Sequence, residues 1–233
     1  WSNAILSSSG YVAVWATDNT REAVFDALQR REVYASTGPR ITLRLFAGWG
    51  FTGEELDDAD FAAQGYSAGV PMGGQLKGSC EQTGELSILV KASKDPLGAN
   101  LDRIQIVKGW MDQGEHREQV YDVALSDGRE LREDGQGLKV GNTVDSQSAT
   151  YANTIGAAEL GTVWTDREFD AEQQAFYYAR VLEIPTPRWT TYDAAAFEIP
   201  PPDNVPRAVQ QRVYSSPVWY EPSEAAAGPD CRE

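Results

Sequence analysis

The chain has 233 residues, 41% of them hydrophobic, which is enough to bury a sizeable core and too much for a disordered polymer. Its 20 Lys and Arg stand against 35 Asp and Glu, a formal charge of -15 that argues for solubility and against nucleic acid or an anionic membrane as partner. No apolar run approaches the roughly 18–20 residues of a membrane span, and the two cysteines, Cys80 and Cys231, form no Cys-x-x-Cys or Cys/His cluster for structural zinc.

The opening text, WSNAILSSSGYVAVWA, has no initiator Met and no signal-peptide pattern, and reads as the start of a fragment or a processed product. Residues 10–18, GYVAVWATD, predict a short strand, with Val12, Val14 and Trp15 favouring extended backbone between Gly10 and Asp18. Asn19 and Glu22 make a capping-box-like pair. Behind them Ala23, Val24, Ala27 and Leu28 recur at helical spacing up to Arg30 and Arg31. The text STGPR, 36–40, then predicts a rigid turn, because Gly38 permits positive φ and Pro39 fixes its own. Ile41, Leu43 and Leu45 alternate with Thr42 and Arg44, a strand with one buried face.

From there the text is mostly β. Leu86, Ile88 and Val90 share one face, as do Ile104 and Ile106, and as do Tyr121, Val123 and Leu125. Phe176, Tyr178 and Arg180 oppose Tyr177, Ala179 and Val181 in the same way, and Gly-, Asp- and Pro-rich loops separate the segments. The predicted fold is mainly β, an antiparallel β-sandwich-like domain over 41–222 preceded by a short strand-helix-strand segment. The Pro-rich text after 199 predicts a helical turn at 206–212, then an extended segment packing Val218, Trp219 and Tyr220; residues 223–233, small and polar, read as a mobile tail.

The chemistry is bounded by a shortage of histidine. His116 is the only one, in a polar turn, whereas Ser-His and Cys-His catalysis and most transition-metal sites need His beside other groups. Acids cluster at 54–61 and 164–174 without the Asp-x-Asp-x-Asp-Gly spacing of a calcium loop, and no carboxylate pair for glycoside hydrolysis is singled out. Trp49, Trp110, Trp164, Trp189 and Trp219 are spread through the β-rich part, where large aromatics serve the core more often than a sugar platform; a row formed by Trp49, Trp110 and Trp189 would reverse that. The remaining candidate is the turn itself: the backbone N–H groups of Thr37 and Gly38 with the Arg40 guanidinium would bind an anion, or Arg40 pairs with an acid and the turn only redirects the chain.

The stretch AVWATDNTREAVFDALQRREVYASTGPRI resembles the closing segment of the PHP (polymerase and histidinol phosphatase) metal-dependent hydrolase superfamily, where a final strand, a helix and a YATTGPRI-like stretch complete a distorted α/β barrel. Four further stretches, at 65–76, 95–110, 140–166 and 176–194, closed by YSSPVWY at 214–220, look like the bacterial family catalogued as domain of unknown function 3604. The resemblance implies that residues 1–40 are the C-terminal end of a PHP-like barrel and that 41–222 form a β-rich accessory domain. It implies divalent metals bound upstream of Trp1, on a His-x-His strand motif, later Glu and His residues and an Asp-x-His near the end of the barrel, motifs that this chain lacks. The expected protein is therefore a fragment of a phosphoester or carbamate-ester hydrolase, inactive by itself, without a cofactor of its own, and periplasmic or secreted. Its expected partner is the N-terminal part of the same protein or further copies of the chain. The alternative is a non-catalytic sandwich that binds carbohydrate or protein. Whether Cys80 and Cys231 pair stays open.

Overall fold

The structure, a computed structural model, describes residues 6, 10–78, 85–132 and 135–222. Cys80, Cys231 and the 223–233 tail lie outside the described residues. In chain order the elements are β1 (Tyr11–Val14), α1 (Arg21–Gln29), β2 (Val33–Ser36), β3 (Thr42–Trp49), a 3-10 turn (Glu54–Leu56), α2 (Phe61–Ala68), β4 (Gly69–Pro71), β5 (Gln75–Lys77) and β6 (Leu86–Ser93). There follow β7 (Leu101–Asp112), β8 (Glu115–Leu125), β9 (Glu159–Thr165), β10 (Ala175–Glu183), β11 (Thr186–Pro187), α3 (Trp189–Phe197), β12 (Ala208–Val209), β13 (Arg212–Ser215) and β14 (Val218–Glu221). With 42% strand against 14% helix the protein is mainly β, as the alternation predicts. No described helix is long and apolar enough to cross a membrane.

Two sheets stack face to face. The smaller is antiparallel in the order β4-β3-β6-β9. The larger is centred on β10, which pairs antiparallel with β7 along one side; β8 continues beyond β7. Along its other side β10 meets β14 through Ala175–Tyr177 and β13 through Arg180–Leu182. β13 leads on to β2 and β1, and β14 to the parallel strand β5. Between the sheets lies one apolar core, to which β3 gives Leu43 and Leu45, β6 gives Ile88 and Val90, β7 gives Ile104 and Ile106, and β10 gives Tyr177, Ala179 and Val181. Period-2 alternation produces this arrangement directly, since every second side chain of each strand points at the opposite sheet.

The inward position of β7 opposite Tyr177 is Lys108. Its ammonium lies 2.6 Å from the Asp166 carboxylate and donates to the Glu168 carbonyl at 3.0 Å, while the Tyr177 hydroxyl donates to Asp166 at 2.6 Å. Burying these charges is tolerable because each has partners.

Several local features differ from the sequence expectation. α1 is capped by Thr20 rather than Asn19: Thr20 has the extended backbone a cap requires, and its hydroxyl accepts from Ala23 N at 3.2 Å. The 206–212 text is not a helical turn but β12 and the start of β13, because Val213 and Ser215 alternate inward and the strand fills the space between β10 and β2. β9, α2 and α3 were not predicted. α2 lies on the outer face of the small sheet, covering a second apolar cluster of Phe46, Phe51 and Leu89 with Phe61 and Val163.

Gly65 is the point of closest approach in that layer, since a Cβ there would stand 2.3 Å from the Phe46 ring, which is fully buried and held edge-on by Phe61 and Tyr66. Gly65→Ala is therefore expected to destabilise by about 1–3 kcal/mol in urea unfolding, against the usual helical preference for Ala.

Candidate functional site

β10 ends in a register shift between Leu182 and Glu183, whose partners on β7 are Arg103 and Leu101. Alternation still turns Glu183 inward, one step beyond Val181, so that it leaves the apolar core and lies beneath the loop that follows β6. The glutamate is 2% exposed, and its Oε1 accepts no hydrogen bond from any described residue. Its backbone is fixed on both sides: its N–H donates to the Gln211 carbonyl at 2.9 Å and its carbonyl accepts from Gln210 Nε2 at 2.8 Å.

The overlying loop is organised by Asp95. Its Oδ1 accepts from Leu97 N at 3.0 Å, and its Oδ2 accepts from Arg40 N at 2.8 Å and from Arg40 Nε at 3.5 Å. Gly98 lets the loop close over Glu183, because a Cβ at that position would come within 3.3 Å of Glu183 Oε1 and 2.9 Å of Asp95 Cβ. Lys94 donates to the Gly98 carbonyl at 2.9 Å and to the Asp95 carbonyl at 3.3 Å. Asp95, Gly98 and Glu183 line a cleft of about 300 Å³ together with Thr37, Gly38, Tyr151, Tyr192 and Gln211.

The two carboxyls titrate in opposite directions. Asp95 is held below the ordinary carboxylate range, chiefly by the Arg40 and Leu97 N–H groups, so it is ionised at neutral pH. Burial, reinforced by the Asp95 charge and opposed by Lys94, pushes Glu183 up to about 8, so it carries a proton at pH 7. The Tyr151 and Tyr192 hydroxyls are raised, both chiefly by burial, and stay neutral. Glu183 is not among the candidates the sequence puts forward, although RVLEI places it inward as the continuation of Tyr177, Ala179 and Val181. Its pairing with Asp95 is not legible there, because the two residues meet only in the folded chain.

Of the residues the sequence put forward, Thr37 and Gly38 line this cleft. Their backbone N–H groups are already donated, Thr37 N to the Arg212 carbonyl at 2.9 Å and Gly38 N to Ser36 Oγ at 2.9 Å. The Thr37 hydroxyl donates to Gln211 Oε1 at 2.6 Å. The Arg40 side chain is 70% exposed and lies on the other side of the turn, beside Tyr11 and Tyr34. His116 is exposed and pairs across a hairpin with Met111, ten residues of β7 away from Leu101, so about 30 Å of strand separates it from Glu183.

The acid clusters act as turn caps. Glu55 accepts from Gly53 N at 2.8 Å, Asp58 from Asp60 N at 2.8 Å, and Asp170 from Glu172 N at 2.9 Å. Among the described residues no group of three His, Cys, Asp or Glu stands together to hold a metal. Trp49, Trp110 and Trp189 do not form a row: Trp49 packs against Phe169 and Tyr220, Trp110 lies under Lys108, and Trp189 opens α3. A different row runs over the outer face of the large sheet, where Phe176 meets Trp219 at 5.3 Å and stacks with Tyr178 at 6.4 Å, and Tyr178 meets Tyr214 at 6.4 Å. One end of it lines an open groove of about 800 Å³ with Trp110, Met111 and His116.

The chain matches the model of the family described as Protein of unknown function (DUF3604) over residues 1–222, and it belongs to that family. No curated protein and no solved structure matches it.

The titration of Glu183 makes stability depend on pH. Between an unfolded value of 4.5 and a folded value of about 8 the native state holds a proton that the unfolded chain has lost, so stability falls as pH rises through this window and levels off above it. Glu183→Gln, which cannot titrate, is expected to gain roughly 3–5 kcal/mol on the wild type between pH 4.5 and pH 8 in urea unfolding. A difference that stays constant with pH would place the Glu183 carboxyl in the ordinary range.

Proposed function

We propose that this member of the family is the β-sandwich portion of a PHP-like metal-dependent hydrolase of phosphoesters or carbamate esters, periplasmic or secreted, and that it is not catalytic by itself. The observation that carries this reading is the position of the 36–40 turn. The stretch on which the PHP resemblance rests runs through β1, α1 and β2, forms one wall of the acid-lined cleft, and enters the sandwich as β3. Beside it β1 is an edge strand among the described residues, with Tyr11 and Val12 exposed, and α1 turns Phe25 and Leu28 outward. An unpaired edge flanked by apolar side chains is a surface to which further strands attach. The N-terminal part of the same protein, or another copy of the chain, would supply the covering elements.

The divalent metals of such a hydrolase do not fit the residues present, because no described group of His, Cys, Asp or Glu can hold them. The part of this chain is to shape and charge one wall beside the reaction centre. The test is metal analysis with phosphomonoester, phosphodiester and carbamate-ester assays on this chain and on the full-length gene product. Metal-dependent turnover is expected only in the full-length protein, and turnover by this chain alone overturns the proposal.

The aromatic row favours a second reading, a carbohydrate- or protein-binding sandwich. Trp219 is 44% exposed at its end, and the adjoining groove is open. On this reading Trp219→Ala weakens binding to an oligosaccharide panel by roughly threefold to tenfold, read by tryptophan fluorescence or calorimetry. The absence of any saturable binding by the wild type leaves the row as ordinary surface.

A further inference from the structure

We propose that the cleft between the end of β10 and α3 binds a primary ammonium group carried on a short alkyl or sugar-sized body. This goes beyond the hydrolase reading and does not depend on it. Glu183 is 2% exposed, lines the cleft, and has a carboxyl oxygen that accepts no hydrogen bond from any described residue. A buried acceptor left unpaired costs free energy that a donor from a ligand would recover. Asp95 stands beside it as a fixed carboxylate, both of its oxygens oriented by N–H groups. An entering anion would therefore meet an ionised carboxylate, whereas a cation meets one and favours ionisation of the other.

The charged groups around Glu183 do not already serve that purpose. Lys94 is turned to the carbonyls of Asp95 and Gly98, and Arg40 lies on the far side of the turn against Asp95. The two tyrosines that line the cleft, Tyr151 from the loop before β9 and Tyr192 from α3, stay neutral and add aromatic surface of the kind that suits a cation and its alkyl stem. A volume of about 300 Å³ lies at the small end of ligand sites, which fits a single aminoalkyl chain or an amino-sugar ring and excludes a bulky partner. Gly98 keeps space free beside both acids, since a Cβ there would stand 3.3 Å from Glu183 Oε1 and 2.9 Å from Asp95 Cβ.

The experiment is calorimetric titration of the chain with cadaverine (1,5-diaminopentane), with the neutral analogue 1,5-pentanediol as control, at pH 6, 7 and 8.5 and in buffers of different ionisation enthalpy. Ammonium binding requires Glu183 to ionise, so cadaverine is expected to release about one proton at pH 7 and to bind up to tenfold tighter per pH unit until about pH 8. Glu183→Gln, an isosteric change, is expected to weaken cadaverine at least tenfold and to abolish the proton release. If that variant does not fold, Tyr192→Ala replaces it. Tyr192 is 45% exposed, and its loss is expected to weaken binding several-fold while leaving the proton release intact. No binding of cadaverine at concentrations up to about 10 mM, equal binding of pentanediol, or unaltered affinity in the variant that folds each overturns the proposal.

Discussion

Strand β10 is hydrogen-bonded to three neighbours, β7 along one side and β14 then β13 along the other, and the rest of the protein is arranged around that pairing. Its strict alternation divides the molecule's roles between two faces. Inward, Ala175, Tyr177, Ala179 and Val181 fill the space under the small sheet. Outward, Phe176 and Tyr178 begin the aromatic row, and Arg180 joins a polar line through Gln105 at 2.7 Å to Asp122 at 2.7 Å and on to Arg103 at 2.6 Å. A slip of one residue would exchange the two faces, placing Arg180 in the core and Tyr177 in solvent, so register is enforced by burial along the whole strand.

Two contrasting treatments of a buried charge lie along the same strand. Near its start, Lys108 and Asp166 are taken out of water together, with Tyr177 and the Glu168 carbonyl completing their hydrogen bonds. Removing one partner of such a pair costs about 3–5 kcal/mol, because the other is left uncompensated. At its end Glu183 is equally buried but has only backbone anchorage, and its carboxyl is neutralised by protonation instead of by a cation. The first arrangement secures the sandwich, whereas the second retains an unused acceptor. A core concerned only with stability would place an apolar residue or a partnered acid there, which is why the cleft stands apart from the other depressions.

What could be read in the sequence follows the range of the interactions involved. The alternations at 41–45, 86–90, 104–106 and 176–181 identify β3, β6, β7 and β10, because burial on one face leaves its mark within the strand itself. α2 and α3 escaped because their helical stripes are weak: α3 buries Thr190, Thr191 and Ala194 and exposes Phe197 and Tyr192, the reverse of an ordinary apolar stripe. β9 was hidden by its own text, ELGTVWT, which runs straight into the acid-rich turn at 166–170. At the site, local chemistry marked the Thr37–Gly38 wall as a turn, while the opposite wall depends on Glu183 meeting Asp95 across 88 positions of sequence, which no window of text can display.

The N-terminal unit shows how firmly that turn is placed. Trp15 donates from its indole to the Leu43 carbonyl at 3.0 Å, and the Arg44 guanidinium lies 3.7 Å above the same ring. Glu32, 3% exposed, is met by Arg30, Arg44 and the Tyr66 hydroxyl, so α1, β3 and α2 converge on one carboxylate. Ala13 and Trp15 already pack on the core and Ala27 is fully buried, so the outward Tyr11, Val12, Phe25 and Leu28 are not core residues that failed to find their place. They belong to an edge held rigid from behind, and a rigid edge adds a strand or a partner without the entropy of ordering itself first. Because β2 of that unit runs straight into the 36–40 turn, the β1 edge and one wall of the cleft belong to one continuous stretch of chain, while Glu183, Asp95 and Tyr192 on the other wall are anchored in the sandwich.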